Sequence, residues 1–343
     1  MKKTFTTSIL VAALTMTAMT ATAKSWRINS DVTKKADFTS INAAMSSDDV
    51  IVGDTLYLDP GCLLTANQTV SKRVIIVGPG YLRSNAPHQT ATISGSLYLD
   101  ASNVKIEGVT FTADVFIRAQ NITIERCRAT ANIRHAGNSS YNAQYATIRQ
   151  CYLTRVYGYS KTSTVSAYWT IENNIILYTS SGSSIFNLDN PTIKNNYITN
   201  SNNNYTVLSD IQGGMITNNI IIHKGGNNNI FGSVSEANIN NNVLSCAGGT
   251  YSTIGDNKYL DSNDESLVFA LEGTYDQQYQ LKTDSPAKGY ATDGGDCGPF
   301  GGTYPYVLSG LPAGYPYYTK ANIATRAKDG KINVSLNIKM QNE

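Results

Sequence analysis

The chain is poor in charge, in histidine and in long apolar runs, and each shortage removes a class of function. Only 15% of its 343 residues are charged, and the net charge of +2 includes no basic block, so an electrostatic footprint for nucleic acid is missing. Three His and scattered Cys give no zinc-like spacing, and no metal site is expected. The five Cys are an odd number, leaving at least one thiol free or paired between chains. No later stretch reaches the roughly 20 apolar residues needed to cross a bilayer. Runs of ten or more residues with 3.6 spacing are also lacking in the middle of the chain, which excludes helical repeats there.

What is present is a returning phrase. It reads IEGVTF from Ile106, IERCRA from Ile124, IRQCYL from Ile148, IENNII from Ile171, IKNNYI from Ile193, ITNNII from Ile216 and INNNVL from Ile239. Successive starts are 18, 24, 23, 22, 23 and 23 residues apart, a period that marks a solenoid whose units cannot bury an apolar face alone. The leading Ile and the fifth residue after it (Phe111, Ala129, Leu153, Ile176, Ile198, Ile221, Leu244) are two inward columns. Three residues after the leading Ile stand Val109, Cys127, Cys151, Asn174, Asn196, Asn219 and Asn242. Stacked Asn at a turn pass amide hydrogen bonds from coil to coil, so these four are read as a structural ladder. A second apolar patch recurs at Ile185-Phe186, Val207-Leu208, Ile230-Phe231 and, more weakly, Thr253-Ile254. The fold class is therefore all-β, a solenoid of about nine coils and roughly 40 Å of parallel β-structure.

The xIxNNxI unit, together with GDTLYL (Gly53 to Leu58), VIIVGPGYL (Val74 to Leu82), SPAKG (Ser285 to Gly289) and DGGDCGPFGG (Asp293 to Gly302), resembles the right-handed parallel β-helix of the pectate-lyase-like superfamily, and most closely its secreted bacterial members. The likeness covers nearly all of the chain after residue 23. It specifies architecture more than chemistry, because such helices carry lyases, hydrolases, adhesins and inert spacers.

In chain order, Met1 to Ala23 has Lys2-Lys3, an apolar core at Ile9 to Ala13 and small residues at Ala21 and Ala23, the pattern of an export signal. Residues 24–54 are expected to cap the solenoid, with Phe38, Ile41, Ala44 and Met45 on one face of a short helix. Pro79 to Ser94 is expected as a surface loop. The helix proper spans 55–310, its last part an irregular coil and cap. In the tail at 311–343, Ile332, Val334, Leu336, Ile338 and Met340 alternate with polar residues, and Asp329-Gly330 predicts a hairpin with Ala321–Ala327. That hairpin either lids the C-terminal edge, the favoured reading, or docks on a protein partner.

Chemistry is expected outside. The resemblance implies a cleft along the loop after the third strand, which places Arg134 and His135 in one coil beside Tyr157, Tyr159 and Lys161 in the next. Arg155, Tyr178, Asn200, His223 and Cys246 stand seven residues after their leading Ile and form a neighbouring column. A lyase acting on a uronate sugar needs a base and cations that neutralise the enolate, and rings suit sugar faces. Arg134, Arg155 and Lys161 supply charge; Tyr157 or His135 can move a proton. The plainer alternative is an ordinary surface on a chain with 22 Tyr. A hydrolase needs two carboxylates, and Asp189 and Asp210 near one corner are the candidate pair, although both also read as turn residues. Glu107, Glu125, Arg149, Glu172 and Lys194 form a charge column that ties strands together. His223 above Cys246 lacks a third orienting group for thiol chemistry. Asp256, Asp261, Asp264, Glu265, Asp293 and Asp296 match no calcium loop and are read as turns, so no cofactor is expected. Cys127 and Cys151 stack about 5 Å apart, but parallel side chains favour two buried thiols over a disulfide. The expected function is an exported protein that binds or processes carbohydrate, with a structural or adhesive role and a polysaccharide lyase as alternatives.

Overall fold

The computed structural model describes residues 22–81, 90–225, 229–245, 255–273, 275–311, 316–323, 326 and 330–340. The expected export signal, Thr253-Ile254, Cys246 and Asp329 fall outside or almost wholly outside these residues. The protein is a parallel β-helix. One sheet has ten strands in strict chain order: Ser25–Ile28, Thr55–Leu58, Ile75–Val77, Lys105–Glu107, Thr123–Glu125, Thr147–Arg149, Thr170–Glu172, Thr192–Lys194, Met215–Thr217 and Asn238–Asn240. These define ten rungs, one more than the period suggested. The extra one comes from the segment expected only to cap: Ser25–Ile28 is itself the first strand, in register with Thr55–Leu58. The short helix follows at Ile41–Ser46, where Ser40 accepts from the Ala43 N–H at 3.0 Å and Ile41, Ala44 and Met45 are buried.

The leading Ile pair rung to rung from Ile76 to Ile239 and line one core. The Asn ladder runs beside them. Asn196, Asn219, Asn242 and Asn257 each offer a side-chain oxygen to the backbone N–H and the amide of the Asn one rung earlier, at 2.9–3.0 Å. Cys151 continues the column, its N–H donating to Asn174, and Cys127 follows; both are free, buried thiols. The expected charge column is also fully paired: Lys105 with Glu107 and Glu125, Arg149 with Glu125, Lys194 with Glu172. Within Pro79 to Ser94, Tyr81 is fully buried and Thr92–Ile93 is a strand, so that segment is not all surface loop.

The largest departure lies after residue 260. Residues 285–311 do not cap the end; they run backwards along the helix. Lys258 holds the carbonyl of Pro286, Asn241 that of Tyr290, and Asn218 exchanges two bonds with Thr292. Asn173 then holds Pro299 and Gly301, Gln150 holds Pro305, Arg126 reaches Leu311, and Tyr81 N–H meets Ser309 on the third rung. The side chains that grip this strap occupy left-handed turn positions, φ 52° at Arg126 and 53–60° at Asn173, Asn195, Asn218 and Asn241. Each NN pair of the repeat is therefore split, the first Asn facing the strap and the second facing in. Beneath the strap lies a second core of Ile175, Tyr197, Ile220, Ile222 and Val243 with Phe269, Tyr279 and Tyr306.

The hairpin pairs Pro316–Ile323 with Val334–Met340, starting earlier than its sequence suggested. It leaves from Leu311, beside Arg126, and Ile332, Val334, Leu336 and Ile338 are 43–58% exposed. The expected lid on the C-terminal edge is therefore not formed.

Candidate functional site

In-register parallel strands place equivalent side chains directly above one another, about 4.8 Å apart. On the outside this builds one continuous column: Tyr98, Phe116, Arg134, Tyr157 and Phe186, each the strand partner of the next. Tyr98 and Phe116 stack at 4.9 Å, and Tyr157 and Phe186 at 4.5 Å. The Arg134 guanidinium lies between the two pairs, 4.3 Å from the Phe116 centroid and 5.5 Å from Tyr157. Asp114 fixes it there, accepting from Arg134 Nε at 2.8 Å. Arg118 covers Tyr98 at 4.1 Å, and Arg155 lies over Phe186, Tyr178 and Tyr157 at 4.4, 4.8 and 5.1 Å. Arg155 is anchored by Nε donating to Ser183 O at 2.8 Å. A Cβ at Gly182 would sit 2.0 Å from a guanidinium nitrogen, so a larger residue there would displace the Arg155 tip. Burial pushes the Tyr157 phenol above its usual range against the pull of Arg134, so at neutral pH it is a donor and not a base.

Arg134, Arg155, Tyr157 and Tyr178 are thus brought together; Tyr98, Phe116 and Arg118 join them unforeseen, and so does Phe186, expected only as part of an apolar patch. Their signal was present: Tyr98, Phe116 and Arg134 are 18 residues apart, the same step that separates Ile106 from Ile124. The other candidates lie elsewhere. His135 is buried; its Nδ1 accepts from Gly137 N–H, so Nε2–H donates to Tyr141 O at 2.9 Å, and burial pulls its pKa down. Its ring touches Tyr159 at 5.3 Å. Lys161 reaches away from Arg134, to Ser233. The expected edge of Tyr178, Asn200 and His223 is in register but buried. Its polar groups hold loop carbonyls: Tyr178 that of Ser181, Asn200 those of Gly182 and Thr206, and His223 that of Tyr205 at 2.8 Å, the Gly225 carbonyl lying 3.2 Å from its other ring nitrogen.

Asp189 and Asp210 do not share a corner. Asp189 pairs with Gln212, two residues beyond Asp210, which sits at φ 51° beside Ser209. The C-terminal acids are also dispersed. Glu265 pairs with Lys224 and Tyr197, Asp264 caps a turn, and Asp293 and Asp296 accept from nearby glycine N–H groups. Among the described residues no three His, Cys, Asp or Glu side chains are gathered as a ligand set.

No protein-family model matches this chain, and no curated protein matches it.

Proposed function

We propose that the protein is exported and binds carbohydrate through the ring and guanidinium column, acidic glycans above all. The observation that carries this reading is the column itself, in which half-buried rings alternate with cations held by Asp114 and Ser183. Pre-fixed guanidinium groups meet carboxylates at little entropic cost, and apolar ring edges suit the C–H faces of sugars. The likeness to pectate-lyase-like helices supports the same class of ligand. Cleavage of the bound glycan, by lyase or hydrolase chemistry, is the alternative within this reading.

A panel of acidic and neutral polysaccharides, offered to the chain from residue 24 onward, tests the reading. Retention of an acidic glycan is expected, with affinity falling about tenfold or more in a Tyr157→Ala, Phe186→Ala double variant. Unsaturated uronate or new reducing ends in the same mixtures would identify turnover. Tyr145 and Tyr168, an exposed stacked pair at 5.3 Å on another corner, supply the control. If changing that pair abolished retention while the Tyr157 and Phe186 variant kept it, the surface would be wrongly assigned.

A structural or adhesive role is the second reading, and the tail favours it. A two-stranded hairpin is marginal alone, and this one presents Ile332, Val334, Leu336 and Ile338 to solvent, a face suited to a protein partner.

A further inference from the structure

A separate cluster lies near the start of the strap-covered face. The outward column there runs Thr92, Thr110, Arg128, Tyr152, Ile175, Tyr197, Ile220 and Val243, all strand partners. From Ile175 onward the strap covers it with apolar contacts. Arg128 stands before that cover, half-buried and with no ion pair, ring contact or hydrogen bond among the described residues. Its Nε is shielded from solvent without an acceptor, and so is Oγ1 of its neighbour Thr110, which is only 5% exposed.

Other half-buried arginines are paired: Arg118 with Asp100, Arg134 with Asp114, Arg149 with Glu125. The acids beyond Tyr152 are already engaged. Glu265 is held by Lys224 and Tyr197, and Asp276 by Ser309 N–H and Tyr306 O–H. On the next rung Tyr152 stands beside Tyr279, and burial keeps both phenols protonated, hence donors. An Arg Nε and a hydroxyl side by side, both shielded and without a partner, are costly, since each gives up water for nothing. One ligand chemistry repairs both. We infer that Arg128, Thr110 and Tyr152 form a carboxylate-binding site, distinct from the ring column.

Arg128 and Arg134 share one strand but are six residues apart across an irregularity between Ala129 and Asn132, at most roughly 20 Å. The two sites therefore fail or succeed separately. A free organic acid and a sugar acid both carry this carboxylate, and acetate, glucuronate and neutral glucose distinguish these. Titration calorimetry and thermal melts should show acetate or glucuronate, and not glucose, binding and stabilising the chain. Acetate alone would assign a free acid, whereas tighter glucuronate binding would assign a sugar acid. Arg128→Gln should weaken acetate binding about tenfold or more, while Arg27→Gln, at an exposed ion pair on the first rung, leaves it unchanged.

A ligand-free comparison keeps the inference testable in its own right. Because the guanidinium has no partner among the described residues, Arg128→Gln should melt at or above the parent temperature, and Thr110→Val should not lower it. A clear drop in either melting temperature would reveal an internal partner and overturn the site. So would the failure of both acetate and glucuronate to bind the parent chain.

Discussion

At the scale of the residue, the inward Asn is the most informative side chain in the repeat. Asn196 accepts from the N–H and the amide of Asn174 and donates to the carbonyls of Ile171 and Lys194 and to Asn219. Asn196→Ala strands several of these buried groups at once, so it should cost about 3 kcal/mol or more in a denaturant titration. A loss well under 1 kcal/mol would mean that water replaces the amide. Cys151 occupies the same column and offers only a sulfur to the Cys127 N–H, at 3.3 Å. Burial raises the Cys151 thiol well above its usual pKa, and Cys127 is as fully shielded from solvent, so both should resist thiol reagents until the fold opens. The ladder was legible in the sequence because a column of identical inward residues leaves an unmistakable period. The role of the first Asn of each pair was not. Asn173 and Asn174 look alike in a string of letters, and only the left-handed turn at Asn173 aims it at Pro299 and Gly301.

At the scale of the element, the strap and the hairpin are adjacent in sequence and opposite in energetics. The strap covers Ile175, Tyr197, Ile220, Ile222 and Val243. Ending the chain at residue 260 should therefore expose a continuous apolar face and give an aggregating product by size-exclusion chromatography. Ending it at Leu311 removes a hairpin whose apolar side chains are already exposed, and the melting temperature should barely move. A large loss on the second truncation would show that the hairpin packs on the body. The cover itself had a sequence signal in the doublets Ile175-Ile176 and Val243-Leu244 and the triplet Ile220-Ile221-Ile222. A strand wet on one face alternates; one buried on both faces does not. The path of the strap had none, since its grips are backbone carbonyls, which every residue owns. The ring and guanidinium column was half legible for a related reason: the period starts at Ile106, so Tyr98 precedes it and Phe116 falls in its first and shortest unit, of 18 residues.

At the scale of the whole molecule, the strap changes how the fold holds together. A bare solenoid is bound rung to neighbouring rung and can fray from either end. Here a segment fixed to Asn241 near the last rung is also fixed to Tyr81 on the third, so opening one end must release contacts at the other. A single unfolding transition is the expected result. Near the early end of the strap lies Asp276, 2% exposed, accepting from Ser309 N–H and Tyr306 O–H while Tyr306 also bonds Tyr81. Burial raises its pKa, and the bonds from Ser309 and Tyr306 only partly oppose that. A carboxyl whose folded pKa lies above its unfolded value of about 3.9 favours folding fully below that value and loses the contribution as pH rises through the folded one. His135 acts in the other direction. Burial depresses its pKa, so its contribution is complete above about 6.5 and falls away as pH drops toward the folded value. The two groups are separated by substitution. Asp276→Asn retains an oxygen that can accept both bonds but carries no charge to bury. Its melting temperature should exceed the parent's at pH 8, and the gain should shrink in acid, where the parent carboxyl is protonated as well. A gain of equal size at both ends of the range would point to packing instead, and a loss at pH 8 would show that the charge at Asp276 helps to hold the strap closed.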